Sequence, residues 1–160
     1  MSDHKHLIFI HGLESSGQSS KAVLLREIFP AILTPDFTGS LSERLVQLYP
    51  ILGNITDWTI IGSSFGGLMG AIFTCQHPNQ VKKLILLAPA LTLTEFAGNL
   101  PHPIDVPTVI IHGNHDDIVP LTPVKELAKK VFTDLTHHVV NDGHRLNKAI
   151  YSIDWRTLVE

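Results

Sequence analysis

Residues 60–70 read IIGSSFGGLMG, and inside them Gly62-Ser63-Ser64-Phe65-Gly66 forms the pattern G-x-S-x-G. An apolar run, Trp58–Ile61, comes before it, and small residues follow. The pattern alone is weak evidence. Ser64 fits a helix N-cap in a Ser/Gly-rich turn, and it also fits a sharp strand-to-helix turn that pushes its side chain outward. The sharp turn makes stronger demands. Gly62 and Gly66 must lack side chains where strand and helix crowd together, and the Phe65 N–H, in the first helical turn, faces the same point as the Ser64 hydroxyl. Gly67, Gly70 and Ala71 then keep the helix slim against a sheet. The sequence meets all of these demands.

Outward from this stretch, short apolar runs alternate with helical patterns. Leu7–Ile10, Ala31–Leu33, Trp58–Ile61, Lys83–Leu87, Thr108–Ile111 and His137–Val140 read as strands. Several are apolar on consecutive residues, as in strands covered on both faces. Between them, Gln18–Phe29 carries an apolar stripe that Pro30 stops, and Ser40 with Glu43 makes a capping box for the stripe Leu41, Leu45, Leu48, Leu52. A helix from Phe65 to about His77 ends before Pro78. Thr122 and Pro123 read as N-cap and first turn of Val124–Phe132, and a last helix spans about Arg145 to Ser152. Strand–helix alternation predicts a single α/β domain over residues 1–160: three α/β/α layers around a six-stranded, mainly parallel sheet.

The chain's bulk properties suit this reading. Of 160 residues, 44% are hydrophobic and 17% charged, a composition that builds a core and argues against disorder. A net charge of −3 without a basic run argues against nucleic acid and anionic membranes as partners. Leu7–Ile10 is too short for a signal peptide's core and no small-residue cleavage site follows it, and no apolar stretch approaches the length of a membrane span. The single cysteine, Cys75, forms no internal disulfide and reads as a small core residue; a cytoplasmic address is expected.

In parallel sheets, ligands bind beyond the carboxyl ends of the strands. There the sequence places His11-Gly12-Leu13 after the first run, Ser64 after the third, His112-Gly113-Asn114-His115-Asp116-Asp117 after the fifth and Asn141-Asp142-Gly143-His144 after the sixth. A serine nucleophile needs a base, and the base needs a carboxylate that fixes its tautomer. Ser64, then an acid at Asp116 or Asp117, then His144 supply these in the order expected of α/β-hydrolases. His137 and His138 compete with His144, but a polar, exposed strand edge accounts for them. Asp142 reads as a turn residue, and Ser63 as a buried neighbour of Ser64. His112, His115 and an aspartate also suggest metal ligands, but without a further clear ligand no metal is expected. No phosphate-binding loop or dinucleotide fingerprint is present, so no cofactor is expected.

With FIHG at Phe9–Gly12, GSSFGG at Gly62–Gly67, HGNHDDIVP at His112–Pro120 and DGH at Asp142–His144, the chain resembles the α/β-hydrolase superfamily over nearly its whole length. Within it, the early HGLESSGQSSKAVLLRE followed by GSSFGG is similar to small bacterial serine esterases of the YqiA type. The resemblance implies Ser64 as nucleophile, His144 as base and Asp116, three residues after Gly113, as the acid. It also implies an oxyanion hole made of the Phe65 and Leu13 N–H groups, with His11 orienting that loop. The family's opening antiparallel pair is missing, and the lid region is reduced to Leu91–Pro103. The expectation is a minimal fold without an extensive lid and a shallow acyl site near Leu13, Phe65, Leu91, Phe96 and Leu146.

The function expected is hydrolysis of a small carboxylester or thioester. Amide cleavage is a close relative on the same constellation. A catalytically weak binding or interaction module is the alternative from another class. A lyase or perhydrolase on the same residues is a third.

Overall fold

The computed structural model describes residues 5–160. In chain order the elements are β1 (Leu7–Ile10), α1 (Ser20–Ile28), α2 (Leu41–Leu52), β2 (Trp58–Ser63), α3 (Phe65–Gln76), β3 (Val81–Leu87), α4 (Thr94–Ala97), β4 (Thr108–Gly113), α5 (Leu121–Val131), β5 (Leu135–Val140), α6 (Ala149–Ser152) and α7 (Trp155–Val159). The five strands are all parallel and lie in the order β1-β2-β3-β4-β5.

Consecutive apolar residues in the strands serve two cores. Ile8, Ile10, Ile60, Leu84, Leu86 and Ile110 face α2, α3 and α5. Their neighbours Leu7, Phe9, Ile61, Ile85, Val109 and Ile111 face α1, α6 and α7. Side chains alternate across a strand, so a strand buried on both faces must be apolar throughout.

Among the described residues the expected six strands are five. The Ala31–Leu33 run is no strand: Leu33 alone bridges Ile8, with Phe9 N–H donating to its carbonyl and its own N–H donating to Leu7. Pro30 and Pro35 bracket the run, and prolines lack the N–H that a longer ladder needs. The bridge still matters. The chain leaves β1 by α1 on one face, touches the open edge of β1 at Leu33, and returns to β2 by α2 on the other face. The helices that follow β1 and β2, α1 and α3, thus lie on opposite faces, the arrangement that sets a ligand site at the carboxyl ends of strands in such sheets.

The Ser40 capping box forms as expected: the Glu43 N–H donates to Ser40 Oγ at 3.2 Å and the Ser40 N–H to Glu43 Oε1 at 3.4 Å. Two other boundaries differ. Pro120 rather than Thr122 is the N-cap of α5, because Leu121 already has helical geometry. The last expected helix, Arg145–Ser152, forms only as α6, with residues 145–148 in turns, and α7 beyond it was not expected. Asp142 explains the late start: its Oδ2 accepts the N–H groups of Lys148 and Ala149, capping α6 where it begins.

Gly66 is where the fold is tightest. A Cβ there would sit 2.1 Å from the Ile10 carbonyl oxygen and 2.5 Å from that of His11. Gly62 is similarly close to the Gly66 carbonyl, at 2.5 Å. These obstacles are backbone atoms, so relief requires moving β1 away from α3. Gly66→Ala is expected to cost more than about 4 kcal/mol, read as loss of soluble protein or a collapse of the thermal transition. A variant that melts like the wild type would show that the β1–α3 approach is loose.

Candidate active site

Three strand ends bring the site together. β2 leads straight into Ser64, whose φ of 55° and ψ of −113° are strained for any residue with a side chain. The strain is held from both sides. The Ser64 N–H donates to Leu87 at 2.9 Å, and its carbonyl accepts from Leu68 at 3.1 Å and Ala90 at 3.0 Å. Pinned in this way, the residue makes the sharp turn that the sequence suggested and makes no side-chain cap bond to α3. Its N-cap reading therefore fails.

β4 leads to Asp116, whose side chain is fully buried. Oδ1 accepts the N–H groups of Ile118 at 2.9 Å and Val119 at 2.8 Å. Oδ2 accepts from His144 Nδ1 at 2.7 Å. Asp117 is exposed and has no part in this network. β5 leads to His144, whose Nε2 lies 3.0 Å from Ser64 Oγ. Because Nδ1 faces a carboxylate, the proton sits on Nδ1, and Nε2 is left to accept from the serine hydroxyl. The β4 and β5 loops cross at Gly113, where a Cβ would meet the Asp142 carbonyl oxygen at 2.2 Å. This close crossing brings the acid and the imidazole within bonding distance.

Burial by itself would raise the Asp116 carboxyl. The hydrogen bond from His144, the Val119 and Ile118 N–H groups and the His144 charge outweigh it and hold the carboxyl below its ordinary range. A carboxylate whose pKa is lower folded than unfolded adds stability that is complete above its unfolded value, about 3.9, and is lost as pH falls through its folded value. Asp142 is also lowered, chiefly by the Ala149 N–H. Acid unfolding is therefore expected to steepen below about pH 4, and Asp116→Asn to flatten part of that limb in melts taken from pH 6 to pH 2.

Behind Asp116 lies His112, fully buried, with Nε2 2.9 Å from the Val119 carbonyl and 3.2 Å from Asp116 Oδ2. Two acceptors around one nitrogen make Nε2 the protonated one. His112 is thus a donor to the acid rather than a metal ligand or a simple turn residue. His115 turns away and pairs with Asn141 Oδ1 at 2.8 Å. Among the described residues no group of three or more His, Cys, Asp or Glu side chains is placed to hold a metal ion.

His138 is exposed, as expected of a strand edge, but His137 is not a simple edge residue. Both its ring nitrogens are buried without a partner, and the ring stacks on His112 at 6.4 Å. Burial first, then His112, Lys125, His138 and Lys129, push its pKa down to about 4. Cys75 packs against the core, and burial pushes its thiol up to about 12, so it is not a reactive thiolate.

On the β1 side, His11 is 1% exposed. The Phe37 N–H donates to its Nε2 at 2.8 Å, so Nδ1 carries the proton and donates to the Gly12 carbonyl at 2.7 Å. Across a trans peptide, N–H and C=O point opposite ways, so holding this carbonyl also fixes the direction of the Leu13 N–H. Gly12 itself abuts the serine: a Cβ on it would lie 3.6 Å from Ser64 Cβ.

Of the five residues expected to line an acyl site, Leu13 is 53% exposed and Phe65 half-buried. Leu91 and Phe96 are buried in one core and Leu146 in the core on the opposite face of the sheet. The surface hollows lined by His6 and Lys82, and by Tyr49 and His77, touch none of Ser64, Asp116 or His144.

The sequence reading missed Arg44. It is 5% exposed and donates to the Leu13 carbonyl from Nη2 at 3.1 Å. A signal was present: Arg44 lies three residues after Leu41 and four before Leu48, on the apolar stripe of α2.

Residues 52–102 match the profile of the alpha/beta hydrolase fold. Among solved structures, a protein assigned to the alpha/beta hydrolase superfamily from Xanthomonas campestris pv. campestris is similar at 26% identity and a TM-score of 0.79, over 94% of this chain and 93% of that one. The alpha/beta hydrolase domain-containing protein 10 from mouse superposes with a TM-score of 0.74 at 20% identity, over 96% and 86% of the two chains. Est1E from Butyrivibrio proteoclasticus, with ferulic acid bound, does so with a TM-score of 0.74 at 18% identity, over 98% and 88%. No curated protein matches the chain. The parallel sheet with helices on both faces is the α/β-hydrolase fold, which these structures share. The narrower likeness to YqiA-type esterases remains an expectation.

Proposed function

We propose that this protein is a serine hydrolase that cleaves a small carboxylester or thioester through an acyl-enzyme on Ser64. The observation that carries this reading is the hydrogen-bonded chain from Ser64 Oγ through His144 to buried Asp116, at 3.0 and 2.7 Å, ending on a strained serine. A serine that merely capped a helix would need neither the strain nor the imidazole.

The steps follow from this geometry. Ser64 Oγ attacks the carbonyl carbon while His144 Nε2 takes its proton, and Asp116 stabilises the imidazolium. The N–H groups of Phe65 and Leu13 receive the oxyanion; losing one such donor costs about 3 kcal/mol in comparable sites. His144 then protonates the leaving oxygen or sulfur, which departs as alcohol or thiol. A water, deprotonated by the same nitrogen, releases the acid. Every step uses side chains and backbone alone, so the reading calls for no cofactor.

The substrate class follows from what surrounds the serine. Only Leu13 and Phe65 of the expected lining keep surface, and α4 in the Leu91–Pro103 stretch is one turn long. Little apolar wall is left for a long chain. A small-molecule partner fits this site. No helix among the described residues is long and apolar enough to cross a membrane. The lone, unreactive Cys75 suits a reducing compartment, so we assign the protein to the cytoplasm.

Two measurements test the reading. A fluorophosphonate is expected to leave one adduct, on Ser64, by mass spectrometry. p-Nitrophenyl esters are expected to be cleaved no faster as the acyl chain lengthens beyond about two to four carbons, because a methylene that stays in water contributes none of its transfer energy. A folded protein with no adduct would overturn the proposal in favour of a binding module. Fastest turnover at long chains would overturn the open-site part of it.

A further inference from the structure

Arg44 has an environment that the fold alone does not explain. It lies on α2, buried to 5% exposure, with Nε donating to the Gly39 carbonyl at 2.9 Å and Nη2 to the Leu13 carbonyl at 3.1 Å. Its guanidinium stands 5.4 Å from the centre of the Phe65 ring. Its third nitrogen, Nη1, is buried without any acceptor. Among the described residues no carboxylate lies within ion-pair distance of it.

A buried cation without a counter-ion is costly in a resting protein. Leucine or methionine on the same stripe of α2 would fill the space without that cost. Besides Gly39, Arg44 touches Leu13 and Phe65, the two residues whose N–H groups form the proposed oxyanion hole. Negative charge develops there only in the transition state. A fixed positive charge nearby is then more favourable in the transition state than in the ground state, which is the condition for accelerating a reaction. The hydrogen bond to the Leu13 carbonyl also complements His11. His11 holds the carbonyl before Leu13 and Arg44 the one after it, so the Leu13 backbone is anchored on both sides.

We infer that Arg44 is a positioning residue of the oxyanion hole, holding the Leu13 backbone and the Phe65 side chain and placing an uncompensated positive charge beside the oxyanion. This rests on the serine-hydrolase reading. It assigns α2, which contributes no member of the Ser64–His144–Asp116 chain, a part in the chemistry.

The test compares wild type, Arg44→Gln and Arg44→Lys with p-nitrophenyl acetate, together with inhibition by phenylboronic acid, whose tetrahedral adduct on Ser64 is anionic. Arg44→Gln is expected to lower kcat about 10- to 100-fold with KM changed less than about threefold. The boronate inhibition constant should rise in step. Arg44→Lys keeps the charge but loses the fork of donors, and should fall between the two. If Arg44→Gln does not fold, Arg44→Lys decides by itself: a lower kcat and weaker boronate binding at an unchanged melting temperature support the proposal. Variants that melt lower yet turn over and bind boronate as the wild type does would overturn it and leave Arg44 a packing residue. A wild type that neither releases p-nitrophenol nor binds boronate would overturn the hydrolase reading, and this inference with it.

Discussion

Ser64→Ala is expected to reduce ester turnover by about 10⁶-fold, to the level that binding and the oxyanion donors alone support. The magnitude follows from the unit in which Ser64 works. His144 has no other proton to take, since its Nε2 faces only Ser64 Oγ at 3.0 Å and its Nδ1 is committed to Asp116. Without the hydroxyl, imidazole and carboxylate remain in place and have no nucleophile to activate. Fluorophosphonate labelling should vanish at the same time. Stability should not fall, because the side chain caps nothing in α3. Ser64→Gly should melt a few degrees higher than Ser64→Ala, because a φ of 55° with ψ of −113° is strained for alanine and free for glycine. That difference is on the order of 1 kcal/mol. Residual turnover within tenfold of wild type in Ser64→Ala would show that the nucleophile lies elsewhere, and equal melting of the two variants would show that the turn carries no strain.

Asp116→Asn is expected to lower kcat by about 10⁴-fold while leaving the protein folded. Asn keeps one oxygen, and the N–H groups of Ile118 and Val119 demand it at Oδ1. Its NH2 must then take the place of Oδ2, where it meets donors from His144 Nδ1 at 2.7 Å and His112 Nε2 at 3.2 Å. Two donors cannot share one hydrogen bond, so His144 must move its proton to Nε2. In that tautomer it cannot accept from Ser64. Asp117→Asn, an exposed position, should leave kcat within about twofold. The pair of variants assigns the acid directly: loss of activity in Asp117→Asn and not in Asp116→Asn would reverse the choice. A steady-state assay across pH 5 to pH 9, with melting curves on the same samples, separates lost chemistry from lost fold.

The parts of this molecule that were legible in the sequence are those whose signal is local. The capping box at Ser40 and Glu43 satisfies backbone groups three residues apart, so the pattern and the structure coincide. The double-faced strands were legible because a strand covered on both sides must be apolar at every residue. Ser64 was legible because a sharp turn needs Gly62 and Gly66 within two residues of it. Where the reading failed, a contact or a boundary that composition does not record decided the outcome. Ala31–Leu33 has a strand's composition, but its length was settled by prolines on both sides and by the single bridge to Ile8. Thr122 has a cap's chemistry, yet α5 had begun a residue before it. His137 has an edge strand's polarity, but packing against His112 buries its ring nitrogens.

By itself the sequence determined the layered α/β architecture, the order in which Ser64, a pair of aspartates and His144 follow one another, and the strand ends that carry them. These follow from periodicity and from residues that sharp turns require. Only the tertiary structure decided which of two adjacent aspartates meets the imidazole, 28 residues away, and which histidine meets the serine, 80 residues away. It alone placed His112 behind the acid and Arg44 beside Leu13 and Phe65. The reason is physical: hydrogen bonds and buried charge depend on separations of a few ångströms, and loop closure across the sheet sets those separations, whereas periodicity along the chain records only which face each residue presents.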